Sequence, residues 1–130
     1  MTHTAKGTFQ IKMWPHAPAE QSSPELGRMS FDKVWAGDLS GSSKGEMLSV
    51  GDPKSGTAAY TVLEVFKGSL DGRGGSFAFH QYGTLISGQS ALLYQIVPAS
   101  GGGELAGITG ELKLDVIEGV HHYALSYELP

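Results

Sequence analysis

Residues 57–82, TAAYTVLEVFKGSLDGRGGSFAFHQY, constrain this chain more than any other stretch. Two runs of strand-forming residues flank the quartet Asp71-Gly72-Arg73-Gly74, the pattern of a β-hairpin. With that quartet as the loop, Leu70 lies opposite Gly75. Gly68 then faces Phe77, Phe66 faces Phe79 and Glu64 faces Gln81. Directly opposed side chains share one face of a sheet. One face therefore carries Phe66, Phe77 and Phe79, with Glu64 and Gln81 beside them. A carboxylate set into an aromatic face is the clearest hint of chemistry in the sequence.

The same period of two recurs along the chain. Strand one, Thr4 to Met13, alternates Phe9, Ile11 and Met13 with Thr8, Gln10 and Lys12. Trp14 to Pro24 holds three prolines, which block both helix and ladder, and reads as a loop able to cover a barrel mouth. Strand two, Leu26 to Ala36, carries Met29, Phe31, Lys33 and Trp35 on one face. A two-residue turn at Gly37-Asp38 leads into strand three, Leu39 to Val50, with Phe31 facing Lys44 and Met29 facing Glu46. The turn Asp52-Pro-Lys-Ser-Gly56 then sets Leu48 opposite Tyr60, Glu46 opposite Val62 and Lys44 opposite Glu64.

The connection Gly83 to Gln89 is too irregular to set the register of strand six, Ser90 to Val97, so either Leu93/Gln95 or Leu92/Tyr94 points inward. Pro98 ends it, and Ser100 to Gly110 is a Gly-rich excursion with a short turn at Glu104-Leu105-Ala106. Strands seven, Gly110 to Ile117, and eight, Val120 to Leu129, meet at Glu118-Gly119, pairing Val116 with His121, Leu114 with Tyr123 and Leu112 with Leu125. No helical period appears. Strands joined mostly by short turns predict one all-β domain over residues 1–130. The expected form is a closed eight-stranded antiparallel up-and-down β-barrel, because closure removes exposed edges. A sandwich is the alternative. An eight-stranded barrel leaves an interior for side chains or one small ligand.

Composition narrows the function. The formal charge is −4 and the nine basic residues are scattered, which disfavours a nucleic-acid surface. No long apolar run predicts a membrane helix, and the start lacks a signal-peptide core, so the expected location is cytoplasmic. The chain contains no Cys, which excludes disulfides, thiolate catalysis and Cys-based zinc sites. The run Gly101-Gly-Gly103-Glu-Leu-Ala106 fits a dinucleotide fingerprint in letters only. Pro98 separates it from the strand before it and a strand follows, so no helix N-terminus would meet a phosphate.

Four spaced phrases, GDLSGSSKGEML (37–48), FKGSLDGRGGSFAFHQYGT (66–84), IVPASGGGELAGITGE (96–111) and YALSYEL (123–129), resemble the bacterial family called domain of unknown function 3224. The likeness runs in order over nearly the whole chain. It implies an eight-stranded barrel of the allene oxide cyclase-like type, often oligomeric, and implies no activity. No motif carries over catalytic residues from the plant cyclases, which are fold relatives only.

The expected registers place Lys44, Glu46, Tyr60, Glu64, Gln81 and the three Phe on one face. Three readings follow. Glu64 and Glu46 could be paired acid–base groups whose mutual repulsion raises at least one of them, with Tyr60 and Gln81 orienting a ligand oxygen. They could instead form an internal polar network that fills the barrel, or face solvent. His121 points inward beside Tyr123 and Tyr127, while His122 pairs outward with Asp115. Glu46, Glu64 and His121 have acceptable metal-ligand chemistry but no supporting motif, so no metal and no cofactor are expected.

The favoured function is a barrel holding one apolar or aromatic small molecule against Trp35, Phe66, Phe77 and Phe79, with cofactor-free isomerase or cyclase chemistry as a possible extension. The alternative is a non-catalytic scaffold with a packed lumen. Leu63, Val65, Ala78, His80 and Tyr82 form a largely apolar outer face, which predicts a homodimer or higher homo-oligomer.

Overall fold

Alternating side chains can bury one face of a strand only if the sheet curls around that face. In this protein the curl is complete. A computed structural model describes residues 1–130. Nine strands follow in order: β1 His3–His16, β2 Gly27–Gly37, β3 Leu39–Asp52, β4 Thr57–Leu70, β5 Arg73–Ile86, β6 Gln89–Ile96, β7 Gly102–Gly103, β8 Thr109–Ile117 and β9 Val120–Glu128. They form one antiparallel sheet in the order β4-β3-β2-β1-β9-β8-β6-β5, and β4 pairs back onto β5 to close it. This is the expected closed eight-stranded up-and-down barrel. The extra strand is β7, whose two residues lie against Gly75 and Ser76 of β5.

One end of the barrel is packed solid. Leu39, Leu70 and Leu125 are fully buried there, together with Leu105 and Ile108 from the segment after β7. Sequence reading took that segment as a Gly-rich turn; its two apolar side chains are the plug. Glu104 holds it in place, with its backbone N–H donating to the carbonyl of Gly74 and its carboxylate accepting from the Gly74 N–H. Above the plug lies an aromatic layer. Trp35 sits 4.7 Å from Phe9, 5.1 Å from Tyr123 and 5.7 Å from Phe79, centroid to centroid.

Three registers differ from expectation. The β4–β5 turn uses only Asp71 and Gly72, with φ of 49° and 83°, so Phe66 faces Phe77 and Glu64 faces Phe79. The shift is by two residues and leaves every side chain on its expected face. Between β2 and β3 the shift is by one: Trp35 faces Gly41 and Phe31 faces Gly45. Between β3 and β4 it is again one, with Gly45 facing Glu64. A one-residue slip moves a strand's whole set of side chains to the other face. Lys44, Glu46 and Leu48 therefore point outward, and Ser43, Gly45 and Met47 point in.

The slip has a packing cause. The inward face of β3 presents Gly41, Ser43 and Gly45, and β2 beside it presents Phe31, Lys33 and Trp35. A Cβ added at Gly45 would lie 2.6 Å from both the Leu63 carbonyl oxygen and the Phe31 ring, and 2.7 Å from Glu64 Cβ. Small residues on one strand make room for large ones on the next. A Gly45→Ala variant is expected to lose about 1–3 kcal/mol through overpacking, checked by urea denaturation. Wild-type stability would show that the β4 backbone and Phe31 both give way freely.

β1 also runs three residues further than expected, through Pro15. Its ladder to β9 stops at Phe9, so beyond that point β1 pairs only with β2 and one edge is free. Proline is tolerated on such an edge.

Candidate functional site

The end of the barrel opposite the plug is open. Eleven residues line a cavity of about 160 Å³ there: Phe9, Ile11, Met13, Phe31, Lys33, Met47, Tyr60, Val62, Gln81, Leu114 and His121. Eight of them are hydrophobic, so polar atoms enter at only a few places. Gln81 Nε2 donates to Tyr60 Oη at 2.8 Å, which leaves the Tyr60 hydroxyl proton available to a ligand oxygen. His121 stacks on Phe9 at 4.9 Å.

Beneath the cavity lies a buried polar network. Lys33 Nζ donates to Glu64 Oε1 at 2.9 Å and to Tyr94 Oη at 2.8 Å. Tyr94 Oη donates to the same Glu64 oxygen at 2.5 Å. Ser43 Oγ donates to Glu64 Oε2 at 2.6 Å and accepts from Trp35 Nε1 at 2.9 Å. The Lys33 and Glu64 side chains are 4% and 0% exposed, so the pair is almost wholly withdrawn from solvent. No buried side-chain nitrogen or oxygen lacks a partner. A buried ion pair is tolerable only when its remaining donors and acceptors are satisfied in this way. The ammonium also lies 4.6 Å from the Phe9 centroid and 5.1 Å from that of Phe31. Those ring faces attract a cation.

The network's members come from four strands. Lys33 and Trp35 share the inner face of β2, Ser43 faces them from β3, Glu64 comes from β4 and Tyr94 from β6. Lys33, and not Glu64, is the member that reaches the cavity wall. Both Glu64 oxygens already hold protein donors, so it cannot take a ligand proton directly.

Of the residues expected to meet a ligand, Tyr60, Gln81 and His121 line the cavity. Trp35, Phe66, Phe77 and Phe79 are buried in the core and do not line it. Glu46 is displaced from the expected pairing altogether. It lies on the outer surface, 60% exposed, bound to Arg28 at 3.0 Å. The expected pairing of Glu46 with Glu64 is thereby overturned, because the one-residue slip carries Glu46 through the wall. Lys44, expected directly opposite Glu64, is 81% exposed and lies 3.8 Å from Asp32. Lys33 takes its place. In the sequence Lys33 shares a face with Phe31 and Trp35 without an assigned role, Tyr94 is one of two inward alternatives for strand six, and nothing marks Ser43. A lysine in a period-two apolar run (Phe31, Lys33, Trp35) was the available signal.

Burial pushes the Tyr94 phenol well above its ordinary 10.0, and the Glu64 charge adds to the shift. Burial likewise raises Tyr60 and Tyr123. Tyr127 is pushed up to about 12, by burial first and then by its hydrogen bond to Asp71. Burial lowers the Lys33 amine, and Glu64 opposes that shift. A raised phenol holds its proton more tightly when folded, so its stabilisation is complete below pH 10.0 and is lost as pH climbs through the folded value. Lys33 has the opposite sign: below pH 10.5 the unfolded chain binds that proton more tightly, so its term improves with pH up to that point. Above pH 10.5 only the phenol terms remain, and stability is expected to fall steadily to about pH 12. Tyrosinate absorbance against pH, run alongside thermal melts, checks this. Four of the five tyrosines should ionise late, and all five ionising together near pH 10 in the folded protein would contradict the packing described.

The fold and this interior define a closed antiparallel barrel with an apolar half-lumen set over a buried lysine–glutamate pair. The chain belongs to the family described as Protein of unknown function (DUF3224), whose model matches residues 5–127. It is similar to the crystal structure of a protein with unknown function from that family in Shewanella oneidensis MR-1, with 35% identity and a TM-score of 0.91 over 100% of this chain and 98% of that one. No curated protein matches it.

Proposed function

We infer that the barrel binds one small neutral apolar or aromatic molecule in its half-lumen. The observation that carries this reading is the open, largely hydrophobic cavity of about 160 Å³ above Lys33. Space of roughly 150 Å³ lined by apolar side chains suits one benzene-sized molecule. The charge balance selects a neutral ligand. Lys33 is the only Lys or Arg in the lining, and Glu64 already neutralises it at 2.9 Å. A carboxylate ligand would bring a second anion to a single buried cation, at a desolvation cost that nothing offsets. Tyr60 is placed to donate to a carbonyl or hydroxyl oxygen.

Toluene is the simplest probe. At about a hundredfold over its dissociation constant it should stabilise the protein by roughly 2.7 kcal/mol, read as an upward thermal shift. Met47→Trp fills the cavity from β3 and should abolish that shift while the protein stays folded. Absence of any shift with toluene and related one-ring compounds would favour a non-catalytic scaffold instead.

The outer wall supports a second inference, self-association. Leu63 and Val65 on β4 are 63% and 49% exposed, and Tyr82 beside them on β5 is 47% exposed. A homo-oligomer would cover this face. Light scattering after size exclusion should give a mass above one chain, reduced to one chain by Leu63→Glu. A monomeric wild type would rule the inference out.

A further inference from the structure

We propose that Lys33 is a carbonyl-capturing amine: a one-ring aldehyde or ketone entering the lumen condenses with Nζ to form a Schiff base. This deepens the lumen-binding reading and depends on it. Lys33 is the only primary amine in the cavity wall. Its Nζ lies between two rings that also line the cavity, 4.6 Å from Phe9 and 5.1 Å from Phe31. A lysine held in apolar surroundings is the form in which the amine acts as a nucleophile toward carbonyls. The lowered proton affinity of Lys33 supports this.

The remaining requirements are met by its partners. Glu64 Oε1, at 2.9 Å, can take one ammonium proton and expose the nitrogen lone pair. The nitrogen attacks the carbonyl carbon and the C=O π pair moves to oxygen. The oxygen then collects two protons from the nitrogen in turn, and Glu64 returns its own proton to the nitrogen between the two transfers. The C–O bond breaks, water leaves and a protonated imine remains. An ammonium and a carbonyl have become an iminium and water, and Glu64 ends as the carboxylate it began as. The cation therefore stays beside Glu64, so the buried anion is never unpaired. Phe9, Phe31, Trp35 and Tyr94 lie around that cation and suit it equally before and after the reaction. A pair serving packing alone has no need to meet an open cavity.

Reductive trapping tests this on the wild-type protein. Benzaldehyde and cyanoborohydride are added, the reaction is quenched early, and benzylated lysines are mapped by peptide mass spectrometry. Lys44, 81% exposed, serves as the internal reference. Lys33 should be benzylated about tenfold faster than Lys44, and saturating toluene should remove that advantage. Trapping at Lys33 no faster than at Lys44 overturns the proposal. If toluene still gives its thermal shift, the binding reading survives that failure; if toluene gives none, both fall together. Fast trapping that toluene does not slow would place the chemistry outside the lumen and equally overturn the proposal.

Discussion

Lys33→Met is expected to destabilise the fold by about 3–5 kcal/mol, because it leaves the Glu64 carboxylate buried without its cation. Glu64 is 0% exposed, and Tyr94 and Ser43, its other partners, are neutral hydroxyls. They can share its charge through hydrogen bonds but cannot cancel it. The pair as a whole should matter far less than either half. In Lys33→Met/Glu64→Gln the amide oxygen still accepts from Tyr94 and no charge is buried, so most of the loss should return. Urea denaturation of the wild type, the single variant and the double variant checks this. A double variant as unstable as the single one would show that the lysine stem, and not the unmatched charge, carries the effect.

Trp35→Ala should cost a similar amount, about 3–5 kcal/mol, for a different reason. The indole contacts Phe9, Phe66, Phe79 and Tyr123 and is 2% exposed, so truncation opens a void in the middle of the aromatic layer. It also removes the N–H donor to Ser43. The chain supplies its own control. Trp14, in the same sheet on β1, is 45% exposed. Trp14→Ala should fall within about 0.5 kcal/mol of wild type, as surface substitutions do. Equal losses at the two positions would contradict the placement of the barrel interior.

The parts of this interior that were legible share one property: their inner faces carry large side chains. In β4 and β5 the alternation of Glu64, Phe66, Phe77 and Phe79 with smaller or polar neighbours marks the buried face whatever the turn length. A loop misjudged by two residues therefore did no harm. In β8 and β9 the two-residue turn at Glu118-Gly119, with φ of 51° and 79°, sets the register unambiguously. Along the inner face of β3, only Leu39 and Met47 at its two ends are apolar, and the Gly41, Ser43 and Gly45 between them carry no hydrophobic pattern. Its outer face, with Lys44, Glu46 and Leu48, looks more purposeful. The true partner of Glu64 was hidden by that slip.

Tyr94 was obscured differently. Leu92 and Leu93, adjacent in β6, are 47% and 40% exposed, so apolar character did not separate the two faces. The plug was illegible because Leu105 and Ile108 act through a loop that crosses the barrel end, and a loop has no periodicity to read.

The central claim is that the open half-lumen takes a neutral one-ring molecule over the Lys33–Glu64 pair. Methyl NMR on protein carrying ¹³C-methyl methionine tests it most directly, because two of the four methionines, Met13 and Met47, line the cavity and Met1 is 97% exposed. On titration with toluene, the Met13 and Met47 methyl signals should shift together through the ring current of the bound molecule, saturate along one binding curve, and leave Met1 unmoved. Met13 and Met47 signals that stay in place up to the solubility of toluene, or that move no more than Met1, would contradict a binding site in the lumen.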